Sequence, residues 1–222
     1  MVSTVKVDVV APRVATGTTT LGVSGDKLLI PSGVTITNSG TQSGFSTPTG
    51  LSSVQVFTTS GTWTRPTGIT KVMMYVTGGG GGGKTNAPSA STGGHSGTTA
   101  IKFLDVSSVA TAVITVGAAG AGGSSPTAGG NSIWVGGSTI TGLGGPAGTA
   151  GATNTTPRVV STGGDINTYS SVTYGATYMT AGSYWGGGSS ETTARNYGEG
   201  GYSAYVGTGY AGVAGVIYVM EY

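Results

Sequence analysis

No cysteine occurs among the 222 residues, which excludes a disulfide framework and leaves any extracellular stability to packing and assembly. Charge is scarce as well: Asp, Glu, Lys and Arg make up 7% of the chain, where about 25% is usual. The nine basic residues are scattered from Lys6 to Arg195 and leave a net charge of +2. That excludes a basic patch, and no nucleic-acid partner is expected. No apolar run approaches the roughly 18 residues of a membrane span, so no membrane insertion is expected. The opening MVSTVKVDVV holds one lysine and no long apolar core before a small-residue site, so it does not read as a signal peptide. Gly and Thr recur too often for an amphipathic helical period to persist, and helix is expected to be nearly absent.

Glycine fills the space: 45 residues, about a fifth of the chain against an average near 7%. Glycine loses the most backbone entropy on ordering, and a chain that is 36% hydrophobic has little with which to compensate. Burial between identical chains is the readiest source of further contact, so a homo-oligomer is expected. The glycine runs at 78–83, 117–123, 142–151 and 186–188 allow two states. They are flexible linkers, or extended polyproline II type helices whose amides pair only with neighbouring chains of the same kind.

The remaining residues predict an all-β protein of short strands and glycine-rich loops, a β-sandwich or polyglycine-rich head behind a short β stem. Residues 1–50 form the stem. Within it, 4–10 alternates Val5, Val7 and Val9 against Lys6 and Asp8, and 18–38 reads as three short strands separated by turns at 24–26 and 31–33. Residues 41–50 read as a linker.

The head, 51–222, is organised around QVFTTSGTWTRPTGITKVMMYVTGGGGGGKT. It reads as a strand at 55–58, a turn at 60–62, an exposed Trp63, a turn at 65–68, and a strand at 71–77 that runs into six glycines. Further strands are expected at 98–104 and 111–116. A hairpin joins 131–135 to 138–141 across Gly136 and Gly137, 117–130 and 142–156 read as loops, and 215–222 closes the chain as a strand. Trp63 and Trp134 are expected to serve in packing.

Candidate chemistry is sparse. Residues 78–85 meet the phosphate-binding pattern GxxxxGK[ST] and follow a strand, but Asn86-Ala87-Pro88 replaces the required helix. They read as a glycine run ahead of Lys84 and Thr85. His95, the single histidine, offers no cluster for a metal or a triad and reads as a surface or packing residue. The seven carboxylates are Asp8, Asp26, Asp105, Asp165, Glu191, Glu199 and Glu221. Hydrolysis of a glycan would need two of them close together in contrasting environments. Turn and surface roles are expected instead, so no catalytic residue, metal or cofactor is assigned. The richest stretch is 169–210, with eight tyrosines and Trp185. Rings in Gly and Ser loops offer broad contact area at low entropic cost, and Tyr184, Trp185, Glu191, Arg195 and Tyr197 are taken as the receptor-binding set. The other reading of these rings is that they plug a glycine-rich core.

FTTSGTWTRPTGITKVMMYVTGGGGGG, ITVGAAGAGG, GGNSIWVGG, GGDIN, YGEGGYSAY and AGVAGVIYVMEY follow one another in an order that resembles the glycine-rich domain at the C-terminal end of bacteriophage tail fibre and receptor-binding tail proteins. The likeness spans 55–222. It implies a non-enzymatic virion protein of the tail fibre or tail tip, made in the host cytoplasm and assembled as a homotrimer. Residues 1–50 would dock on other phage tail or baseplate proteins, and the head would meet a host surface glycan or outer-membrane protein. A purely structural adaptor or cap and a glycan depolymerase are the other two readings.

Overall fold

A computed structural model describes residue 32 and residues 50–85, 93–149, 157–171, 181–185, 196–203 and 208–222. The chain divides into two compact units, Met1–Thr47 and Pro48–Tyr222. The strands expected at 4–10 and within 18–38 lie outside the described residues, Ser32 apart. The second unit is all β among its described residues.

Nine strands are present there: β1 (Ser53–Phe57), β2 (Gly61–Thr64), β3 (Lys71–Thr77), β4 (Thr99–Asp105), β5 (Thr111–Thr115), β6 (Ser132–Gly136), β7 (Ser138–Gly142), β8 (Ile166–Asn167) and β9 (Val216–Glu221). They make two antiparallel sheets, in the orders β1-β9-β3-β4-β8 and β2-β5-β6-β7. Period-two alternation sets the inner faces. Val72, Met74 and Val76 of β3 and Ile217 and Val219 of β9 meet Trp63, Ala112, Ile114, Trp134 and Ile140 of the second sheet in one core. Trp63 is fully buried rather than exposed at the turn, and it serves in packing with Trp134 as expected, the two ring centroids 5.2 Å apart. The turn expected at 60–62 is instead the start of β2, because Gly61 and Thr62 pair with Ile114 and Val113. The β6–β7 hairpin turns on Gly137 at φ +67°, and the turn before β3 ends on Gly68 at φ +87°. Both are left-handed positions that glycine fills without strain.

Six of these strands do not stop at the sandwich edge: β3, β5 and β7 run on into 78–83, 117–123 and 142–148, while 94–98, 127–130 and 209–215 lead into β4, β6 and β9. A seventh segment, 198–203, joins them. Residues 78–83 lie at the centre. Their amides donate in turn to Thr98, Gly130, Val213, His95, Thr127 and Tyr210, so that each partner segment recurs every third residue. Three residues per turn without internal hydrogen bonds defines the polyproline II type helix. None of the six glycines has positive φ, which gives the left-handed form. The carbonyls of Gly79, Gly80, Gly81, Gly82 and Gly83 accept from Gly145, Gly120, Gly201, Gly148 and Gly123. The central helix therefore donates to three antiparallel neighbours and accepts from three parallel ones.

The six neighbours also bond to one another around a closed ring, in the order 94–98, 142–148, 127–130, 117–123, 209–215, 198–203 and back. Representative links are His95 N to Pro146 O at 2.9 Å, Gly129 N to Gly145 O at 2.9 Å, Gly130 N to Ala118 O at 2.8 Å, Gly212 N to Gly120 O at 2.9 Å, Val213 N to Glu199 O at 2.8 Å and Gly94 N to Gly201 O at 2.7 Å. Glycine is required because a Cβ at any central position would come within 3.0 Å of a backbone carbonyl oxygen of a parallel neighbour. Of the segments expected as loops at 117–130 and 142–156, residues 117–123, 127–130 and 142–148 are thus ordered helices. The partners that glycine needs are other parts of the same chain, which replaces the expectation that neighbouring copies order these runs.

Candidate functional site

The Gly78 to Thr85 segment holds no phosphate cradle, since the amides of all six glycines are spent on the bundle and Lys84 Nζ donates to the carbonyl of Ser124. His95 is fully buried within the ring of helices. Two carboxylates expected at the surface are also sealed from solvent. Glu199 sits at the foot of segment 198–203 and accepts from the amide of Asn196 at 3.0 Å, and Glu221 faces the sandwich core. Glu221 accepts from Trp63 Nε1 and Gln55 Nε2, both at 2.7 Å, and from Ser53 Oγ. It joins β1, β2 and β9 at the end remote from the bundle. Asp165 stays exposed, with Lys102 Nζ at 2.6 Å and the Phe103 amide at 2.9 Å. The hydrogen bond from Lys102, then that from Phe103, holds its carboxyl below the usual carboxylate range. Such an exposed pair adds little to stability.

Of the receptor-binding set, Tyr184 and Trp185 come together, Tyr197 is half-buried beside Gly198, and Glu191 and Arg195 lie outside the described residues. Trp185 lies on the outer face of the five-stranded sheet, 4.6 Å from Tyr218 and 5.6 Å from Tyr75 between ring centroids, and its Nε1 donates to Thr77 Oγ1 at 2.9 Å. Tyr184 packs edge-on to Trp185 at 5.2 Å and tilts toward Tyr75 at 5.6 Å. Elsewhere in the tyrosine-rich stretch, Tyr202 and Tyr210 stack at 4.1 Å beside the helix bundle, and Tyr169 is exposed.

Sequence reasoning singled out the two loop rings and missed the strand residues beneath them. The signal was present in KVMMYVT and VIYVME, which are apolar on both faces where a half-exposed strand alternates. The register shows the result. One row across the sheet is Val54, Met220, Met73 and Phe103. The next is Val56, Tyr218, Tyr75, Ile101 and Ile166. A cavity of about 460 Å³ lined by Thr70, Lys71, Phe103 and Tyr222 opens at the end of this face, with Lys71 Nζ 5.9 Å from the centre of the Phe103 ring.

Burial, reinforced by Tyr184 next to it, pushes the Tyr75 hydroxyl above the ordinary tyrosine range. A raised value favours the neutral phenol in the folded state. Its contribution is complete below about pH 10 and is lost as pH rises through the raised value. Tryptophan fluorescence is expected to report loosening of the Trp185 contacts above that pH, and Tyr75→Phe to remove the Tyr75 component. An identical profile in the variant would show that Tyr75 plays no part.

Comparison with known families matches residues 55–220 to a glycine-rich domain. No curated protein matches the chain.

Proposed function

The chain belongs to the glycine-rich domain family, and from that premise we propose that it is a non-enzymatic bacteriophage tail fibre or tail-tip protein that attaches to a receptor on the host surface. The observation that carries the reading is the closed bundle. The central glycines and many glycines of the surrounding ring reject any Cβ, so side chains are carried by the remaining outer positions and by the connections between helices. A post of this kind holds the ends of its segments at fixed spacing, with little loss of entropy on binding. At the Gly83 end those connections bring Lys84, Ser124 and Tyr210 to the surroundings of the central helix. At the sandwich, Tyr184 and Trp185 add an aromatic surface suited to the flat face of a sugar or to an outer-membrane protein.

In this reading the protein resides in the virion as a homotrimer, with residues 1–50 docked on other tail or baseplate proteins. The bundle no longer demands that assembly, because its glycine amides are satisfied within one chain; the ground for it is the apolar row of Val54, Met220, Met73 and Phe103 on the outer face of the five-stranded sheet. That face also favours a second reading, a structural adaptor of the tail. Adsorption competition separates the two. Purified protein is expected to slow adsorption of phage particles that carry it, and alanine at Tyr184 and Trp185 together to weaken the effect about tenfold or more. Firm binding to tail proteins with no effect on adsorption would transfer the protein to the adaptor reading.

A further inference from the structure

We propose that Thr77 is a positioning residue that fixes the Trp185 indole, and that Tyr184, held against that indole, is the ring presented to a receptor. The receptor is that of the attachment reading, on which this part rests; the hold on the indole stands apart from it. Thr77 is the last residue of β3, directly before the central glycines, and is fully buried. Its Oγ1 accepts from Trp185 Nε1 at 2.9 Å and shares a hydrogen with Thr99 Oγ1 at 2.8 Å, across the strand pair. A buried hydroxyl engaged on two sides cannot turn away without leaving a polar group unpaired. The ring is held too, with Tyr218 at 4.6 Å and an interplanar angle of 33°, and Tyr75 at 5.6 Å and 56°. The N–H and the underside of Trp185 are therefore taken up by the sheet. Tyr184 stands nearly perpendicular to Trp185, at 84°, and leaves 49% of its surface exposed.

The backbone that carries both rings is pinned from the bundle side. Gly200 N donates to Ala181 O at 3.2 Å, Ser171 Oγ donates to Gly182 O, and Trp185 N donates to Ser183 Oγ at 3.2 Å. Gly198 passes so close that a Cβ there would lie 2.8 Å from Thr77 Cγ2. Segment 198–203 of the ring thus presses on both the loop and the residue that anchors its indole. With the loop fixed, the freedom left to Tyr184 is that of its own side-chain angles. A tyrosine has two, so its ring offers contact area with little entropy to lose.

Exchange of the indole protons, followed by NMR on the full chain, reads the hold directly. Thr77→Val keeps the shape and removes the acceptor, and is expected to speed exchange of the Trp185 indole proton about tenfold or more. The indole protons of Trp63 and Trp134, bonded to Glu221 and to the carbonyl of Gly136, keep their rates. In adsorption competition the same variant is expected to be weaker by about threefold, the effect of one loosened side chain. Thr77→Ser restores both readouts. Trp185→Phe removes the donor and is expected to weaken competition to the same extent, with nothing added by Thr77→Val on top of it; it carries the test if Thr77→Val fails to fold. Tyr184→Ala alone is expected to weaken competition about tenfold. Unchanged indole exchange in Thr77→Val overturns the anchor. Faster exchange with full competition, or full competition by Trp185→Phe, overturns the positioning role and leaves attachment standing. Full competition by Tyr184→Ala overturns its place as the contact ring. Wild-type protein that fails to compete overturns the attachment reading and the receptor role of both residues, and indole exchange then judges the anchor alone.

Discussion

Gly80→Ala is expected to unfold the helix bundle and to lower the melting temperature by about 10 °C or more, a cost above about 4 kcal/mol. In an ordinary helix or strand the same change is mild and often favourable, because alanine restricts the unfolded chain. Here the added carbon meets the carbonyl of Glu199, and no far end of a flexible side chain can move aside. The carbonyl itself is engaged, accepting from Val213. Relief therefore requires parting segments 78–83 and 198–203, which breaks further bonds around the ring, against a total stability of about 5–15 kcal/mol for a typical domain. Gly61→Ala in β2 is the control: nothing lies within 4 Å of its Cβ, and a change within about 0.5 kcal/mol is expected. Calorimetry of the two variants decides the matter. Similar melting temperatures would mean that the central helix is not packed as described.

The second large effect is at the other end of the sandwich. Glu221→Ala removes the acceptor shared by Trp63, Gln55 and Ser53 and leaves the fully buried indole N–H of Trp63 without a partner. Leaving one buried donor unsatisfied costs about 1–3 kcal/mol, and hydrogen bonds to a charged acceptor contribute about 1.5–3 kcal/mol each. A loss of about 3 kcal/mol or more is expected in denaturant unfolding. Glu221→Gln keeps an oxygen for Trp63 and is expected to cost less than half as much. If Glu221→Ala unfolds at the wild-type midpoint, the carboxylate does not tie the two sheets together.

The strands were legible because their signal is local. Short runs bounded by turn residues and glycines placed β3 at 71–77 and predicted β5 and the β6–β7 hairpin to within a residue, and the turn at 65–68 closes as expected, with Ile69 N on Pro66 O. The helix bundle was legible only as two alternatives. Glycine has no side chain with which to specify a neighbour, and the partners of 78–83 are spread from His95 to Tyr210 and Val213, with no pattern in the sequence that links them. The same blankness led to the expectation that other copies supply the contacts, when the chain folds back on itself six times to do so. Glu199 and Glu221 went unrecognised as buried for a related reason: the glycines near Glu199 suggested a turn, and the donors that satisfy Glu221 lie about 160 positions away. For the candidate site, Tyr184 and Trp185 stood out as rings in a loop, while Tyr75 and Tyr218 beneath them needed the register of β3 against β9.

Amide hydrogen exchange on protein labelled with ¹⁵N-glycine tests the central claim most directly. Six consecutive glycine amides that donate in turn to three separate segments open only when the bundle opens, so Gly78, Gly79, Gly80, Gly81, Gly82 and Gly83 are expected among the slowest amides in the molecule, level with those of β3. Exchange of these six at the rate of an unstructured chain, while β3 stays protected, would contradict the bundle and the display scaffold built on it.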